Sequence, residues 1–358
     1  MAKTTPIKLV LQDGTEFLGN AFGYGCDAVV GELVFDSSMV GYQEVITNPA
    51  YLNKIVLLTY PLIGNTGIVN EDFDLKGVTV KGIIVREHND TPSNFRYTET
   101  LQEVLEEGKV VGLTDVDTRA ISKSIYKNGN MVSAIVPAST DTKTALSLIK
   151  NYKEPNLTEA ITCKKTRYYR TSNHTTDIVA IDLGIKQSTI KTLNKLGANL
   201  TLVPANTSVE EIKSLRPDAI YLSGGPEEQN NDAITETVKS LIGFCPIASE
   251  GIGAQILAKA FGVKVVKLKA GHHGSNHPVK NLTTLNLETQ SQSHDYTLCE
   301  DSFEKANVSI TAKNVLDGSI ESFASNEHKV LGVLFNPSLS TKEGQNFYNT
   351  FFSFIKGE

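Results

Sequence analysis

Ile178-Val179-Ala180-Ile181, Ser188 to Leu196, Leu200 to Val203, Ser208 to Leu215 and Ala219 to Leu222 decide the fold of this 358-residue chain. Short, wholly apolar runs alternate with longer stretches whose apolar residues recur at helical spacing. Apolar runs without a polar alternate belong to strands covered on both faces, and strands separated by helices imply right-handed βαβ units on a largely parallel sheet. The rhythm continues with a helix over Asp232 to Leu241, a short strand over Pro246 to Ala248 and a helix over Ala254 to Phe261. On such a doubly wound sheet, ligands bind beyond the carboxyl ends of strands, which singles out Ser223 to Glu227 and Ser249 to Gly253.

Upstream the pattern differs. Ile7-Lys8-Leu9-Val10-Leu11 alternates, Asp13-Gly14 is a hairpin signal, and Glu32 to Phe35 and Lys54 to Thr59 carry strand chemistry. Helical periodicity follows over Thr100 to Glu107 and Thr118 to Asn128. The polar stretch from Lys153 to Thr176, with Pro155, is expected to be a linker. Two domains result: a mixed, β-rich one over 1–152 and a doubly wound α/β one over 177–358, with 153–176 between them.

Composition narrows the function classes. Hydrophobic residues make up 40% and charged residues 21%, as in soluble globular proteins. A formal charge of −6 opposes binding to nucleic acid, whose affinity comes from basic residues on phosphates. The one basic cluster, Lys164-Lys165-Thr166-Arg167-Tyr168-Tyr169-Arg170, is expected to be a solvated linker. The start Met1-Ala2-Lys3-Thr4-Thr5-Pro6 has no apolar leader, and the longest apolar run, Ile55 to Leu58, is too short to span a bilayer. A cytoplasmic protein is expected, with Cys26, Cys163, Cys245 and Cys299 as reduced thiols, because no CxxC pair suggests zinc.

Ser249-Glu250-Gly251-Ile252-Gly253 follows a strand and opens a helix, the setting of a nucleophile elbow. In its surroundings the second half resembles the class I glutamine amidotransferases. Tyr221-Leu222-Ser223-Gly224-Gly225-Pro226 is similar to their oxyanion strand, and Gly251-Ile252-Gly253-Ala254-Gln255 to a pattern reading Cys-Leu-Gly-His-Gln. The first half resembles one member, the small subunit of carbamoyl-phosphate synthetase, in Val34 to Glu44, in Thr59 to Asn65 and in Asp117-Thr118-Arg119. Gly271 to Pro278 is similar to the same subunit, so its histidines are expected to be structural, with no metal site.

The resemblance implies glutamine hydrolysis by a cysteine thiolate, a histidine base and an orienting glutamate. Here those positions hold Gly251, Asn336 and Ser338. Glycine offers no side chain, and an amide does not titrate near neutrality. Glu227 and Asp295 stand where the resemblance expects glycines, and Ala254 replaces a histidine. The two new carboxylates are expected to oppose a substrate carboxylate or an oxyanion. The remaining pocket positions implied by the resemblance are Ser38, Gly225, Ile252, Gln255, Ser293 and Tyr296; packing and turn roles remain open for Ser38, Gly225 and Gln255. Cys245 and Ser249 are alternative nucleophiles, at the wrong end of the strand and without a basic partner respectively.

Three functions compete. A small subunit without its own glutaminase would dock, through its first domain and the Asp117-Thr118-Arg119 neighbourhood, on a large subunit. That partner would carry ATP and magnesium and make carbamoyl phosphate from bicarbonate and ammonia for arginine or pyrimidine synthesis, while this chain would need no cofactor. A rearranged glutaminase is the second, and a stand-alone binding protein the third. Whether glutamine still binds is left open by the sequence.

Overall fold

A computed structural model describes residues 5–25, 27–228 and 230–357. Most of the amino-terminal stretch read above, residues 1–4, and Cys26 lie outside the described residues. The chain forms two compact units, one of Met1–Pro155 with Lys269–Gly274 and one of Asn156–Leu268 with Ser275–Glu358. Among the described residues, no helix is long and apolar enough to cross a membrane.

In the first unit the Asp13-Gly14 turn, with Gly14 at φ 85°, joins β1 (Pro6–Val10) to β2 (Glu16–Gly23) as an antiparallel pair. Then come β3 (Val29–Asp36), α1 (Tyr42–Thr47), β4 (Ile55–Leu58), β5 (Leu62–Ile63), β6 (Gly82–Ile84), β7 (Glu87–His88), α2 (Leu101–Glu107), β8 (Val111–Thr114), α3 (Thr118–Asn128), β9 (Met131–Pro137) and α4 (Thr142–Asn151). Seven strands close a barrel in the order β1-β2-β8-β6-β4-β3-β9. Closure leaves no edge for another chain to extend. The β3-β4, β4-β6 and β6-β8 pairs are parallel. Ile7, Leu9, Leu33, Ile55, Leu57, Val111, Leu113 and Ile135 are buried in one apolar cluster. Asp117 caps α3 by accepting the Ala120 N–H, which gives Asp117-Thr118 a local structural role and leaves Arg119 exposed.

The second unit begins inside the expected linker. Asn156 caps α5 (Leu157–Ile161), whose Leu157 is buried, and β10 (Arg167–Tyr169) pairs antiparallel at a sheet edge. The reading of 153–176 as bare linker is therefore corrected. Most polar side chains there face solvent while the backbone and the buried Leu157, Thr158, Cys163 and Thr176 supply the attachment, so composition misled. Lys164, Lys165, Arg167 and Arg170 are exposed.

The βαβ rhythm follows as read, with ends shifted by one or two residues: β11 (Thr176–Asp182), α6 (Gln187–Lys195), β12 (Ala198–Pro204), α7 (Val209–Ser214), β13 (Ala219–Leu222), α8 (Asp232–Lys239), β14 (Ile247–Glu250) and α9 (Ile252–Ala260). Five strands and a helix complete it: β15 (Val265–Asn281), β16 (Leu287–Leu298), β17 (Ser309–Asn314), β18 (Ile320–Ser325), β19 (Val330–Val333) and α10 (Lys342–Lys356). The ten-stranded sheet runs β10-β12-β11-β13-β14-β19-β18-β17-β15-β16, and its β12-β11-β13-β14-β19 centre is parallel.

Along β11, Val179 and Ile181 join one apolar cluster with α9, while Ile178 and Ala180 join another with α10. Burial on both faces is why β11 is a continuous apolar run.

Candidate functional site

β14 ends at Glu250 and α9 begins at Ile252, so the turn between them is a single residue. Gly251 makes it at φ 53°, ψ −123°. Its N–H donates to the Val333 carbonyl at 2.9 Å, and its own carbonyl accepts from Ala254 and Gln255. A Cβ at position 251 would meet only the Gly224 Cα, at 3.5 Å. Space for a side chain exists, but a positive φ strains any residue other than glycine. Gly253 has the opposite constraint. A Cβ there would lie 2.5 Å from the Leu222 carbonyl oxygen, so only glycine lets α9 pack this close to β13. Gly225 is held likewise, with the Leu183 carbonyl oxygen 1.7 Å from where its Cβ would be.

Glu227, in the loop after β13, is tied into this turn. Its Oε1 accepts from the side-chain amide of Gln255 and from the Tyr296 N–H at 3.3 Å; its Oε2 accepts from the Asp295 N–H at 2.5 Å. Gln255 and Asp295 are both 1% exposed, and Ile252 is buried beside Gln255 on α9. The structure thus brings together Glu227, Gln255, Asp295 and Tyr296.

The Glu250 to Val333 register sets the elbow beside the end of β19, three residues before Asn336. Asn336 donates its backbone N–H to the Ser291 carbonyl at 2.8 Å and its side-chain amide to Ser293 Oγ at 3.3 Å. Ser338 is exposed, its hydroxyl 2.7 Å from that of Ser340. Asn336 and Ser338 therefore have separate partners. Ser38 belongs to the first unit; its N–H donates to Asp36 Oδ1 at 2.8 Å, and it lines a cavity of about 80 Å³ with Met39, Tyr42, Leu58 and Tyr60.

Two groups escaped the sequence reading. Glu250 is 4% exposed, and burial raises its pKa against the opposing effects of Lys186 and of hydrogen bonds from the Gly224 N–H and Thr189. A single acidic residue at the end of an apolar strand gave no periodic signal. His294 lies between Ser293 and Asp295, but its Nδ1 is 2.9 Å from the Tyr296 carbonyl oxygen and its Nε2 3.2 Å from Gln292 Oε1. Of the alternative nucleophiles, burial pushes the Cys245 thiol up to about 12, and Ser249 Oγ, fully buried, donates to the Leu331 carbonyl at 3.1 Å. Cys163, Cys245 and Cys299 are free thiols.

Residues 9–135 match the family profile described as carbamoyl-phosphate synthase small chain, CPSase domain, and residues 179–354 that of class I glutamine amidotransferase. The carbamoyl phosphate synthase small chain of Clostridium perfringens is 36% identical over 354 residues, covering 97% of this chain and 99% of that one. This chain belongs to the carbamoyl-phosphate synthase small-chain family. Another small chain of the family, from Caldanaerobacter subterraneus subsp. tengcongensis, is 38% identical over 92% of this chain and 90% of its own length. A pyrimidine-specific small chain from Halalkalibacterium halodurans is 35% identical over 93% and 92% respectively. The turn at Gly251 lies within the residues that match the class I glutamine amidotransferase profile.

Proposed function

We propose that this small chain is a non-catalytic subunit of carbamoyl-phosphate synthase, structural or allosteric in effect, paired with a large subunit that carries ATP and magnesium and uses free ammonia. The observation that carries this reading is Gly251 at the elbow. Amide hydrolysis by this family's chemistry needs a nucleophile, a base that takes its proton and a group that orients the base. Gly251 has no side chain to attack with, Asn336 has no proton-accepting nitrogen near neutrality, and Ser338 is turned toward Ser340. Neither Cys245, whose thiol is held protonated by burial, nor Ser249, whose hydroxyl is committed to a backbone carbonyl, supplies a substitute.

The test is reconstitution with the large subunit. Carbamoyl phosphate should form with ammonium and not with glutamine, and no ammonia should be released from glutamine with or without the partner. Steady ammonia release by the unmodified chain would overturn the reading, and failure to associate with any large subunit would favour a stand-alone binding protein. Association is proposed to use the first unit, including exposed Arg119. Arg119→Glu should weaken complex formation in analytical ultracentrifugation while leaving the melting temperature of the isolated chain unchanged; intact association would remove Arg119 from the interface.

A further inference from the structure

At least three N–H donors converge on one carboxylate: the buried Gln255 side chain and the successive backbone N–H groups of Asp295 and Tyr296, all on Glu227. The donors come from α9 and β16, elements distant in sequence, while the acceptor comes from the loop after β13. None of the three is a cation. Together these three donors make an anion cradle, where a carboxylate is favoured by charge-assisted hydrogen bonds. Gln255 has little other reason to be buried, since an amide in an apolar helix face is costly unless it is bonded.

We propose that Glu227 is a tethered ligand: its side-chain carboxylate fills a cradle that, once vacated, takes a small free carboxylate. The proposal rests on the non-catalytic reading above and adds to it. The pocket is then closed to glutamine and glutamate by the chain's own side chain as well as lacking the residues to cut them. A tethered group has a large advantage over a free one, because it competes at an effective concentration in the millimolar range or above without losing translational freedom.

The experiment uses the full chain and acetate as probe. Glu227→Ala should melt several degrees below wild type, and acetate at about 0.1 M should restore part of the loss relative to the same concentration of sodium chloride; wild type should show no acetate-specific rise. Isothermal titration of wild type with L-glutamine and with L-glutamate should give no binding. Absence of acetate-specific recovery, or binding of either amino acid to wild type, overturns the proposal. If Glu227→Ala does not fold, Glu227→Gln decides. It turns one acceptor into a donor facing N–H groups, so hydrogen exchange at Asp295 or Tyr296 should quicken by about tenfold, the factor expected for one lost hydrogen bond. Unchanged exchange refutes the tether. Glutamine bound but not hydrolysed would end this proposal alone, whereas ammonia release would end the non-catalytic reading.

Discussion

At position 251 the backbone and the chemistry pull in different directions. A cysteine placed there finds room, with Gly224 Cα at 3.5 Å, yet must adopt φ 53°. A non-glycine residue in that region costs on the order of 1–3 kcal/mol. Gly251→Cys is therefore expected to destabilise the chain by roughly that amount in urea titrations. It should also leave ammonia release from glutamine at background, because Asn336 supplies no base and Glu227 stays in its cradle. Members of a catalytic unit act together, so recovery should need Gly251→Cys, Asn336→His, Ser338→Glu and Glu227→Gly combined. Hydrolysis by the single variant would show that the partners matter less than supposed. Next to it, Glu250 makes a pH-dependent prediction. Burial raises its folded pKa above the unfolded one, so the native state binds its proton more tightly and stability falls as pH rises above the ordinary carboxylate range. The amide introduced by Glu250→Gln would keep an acceptor for Thr189 and the Gly224 N–H and carry no charge. The melting temperature of that variant minus that of wild type should be small near pH 5 and grow toward pH 8; a gap that shrinks with pH would contradict the burial argument.

Among the elements, α9 is set by glycine at two points, its entry at Gly251 and its contact with β13 at Gly253. Adding a methyl at 253 would press on the Leu222 and Ser223 carbonyl oxygens at 2.5 and 2.7 Å. Backbone atoms cannot rotate away, so Gly253→Ala should cost about 1–3 kcal/mol by thermal or urea unfolding. A change of less than about 0.5 kcal/mol, the range of ordinary surface substitutions, would show that α9 shifts freely. The same region shows what could be read in advance. β11, β12 and β13 were legible because two-sided burial writes them as Ile, Val, Leu and Ala runs, and Ser208, which caps α7 with Glu211, marked a helix start. β15 and β16 were not. Their buried positions include His272, His273, Gln290, Gln292, His294 and Asp295, so neither strand has an apolar period. Gly251, Asn336 and Ser338 were visible as departures from a motif, whereas the bonds of Glu227 depend on where β16 lies and no local spacing encodes them. Closure of the first unit into a barrel was hidden too, since parallel pairing joins β3, β4, β6 and β8 across long intervals.

For the molecule as a whole, the two units have unequal claims to independence. The second owns two apolar clusters, one on each face of its sheet, and its parallel centre is drawn entirely from 176–333. The first borrows Lys269–Gly274 from β15. Gly129 and Asn130 pack on or donate to the Lys269 backbone, Ser37 bonds the His273 carbonyl, and the His273 ring lies 5.3 Å from that of Tyr51. A fragment of residues 156–358 should therefore give a cooperative melt by circular dichroism, and one of residues 1–155 should unfold at a lower temperature than the same residues in the full chain. A non-cooperative melt of 156–358 would mean that its two clusters do not suffice. The glycine at the elbow also bears on the protein's history. Residue 251 is relaxed as glycine and strained as anything else, and Glu227 is satisfied where it is. Under the non-catalytic reading proposed above, Gly251→Cys or Glu227→Gly taken alone would therefore lower stability and return no turnover, so the sequence would act as an evolutionary ratchet, easier to enter by small steps than to leave by them.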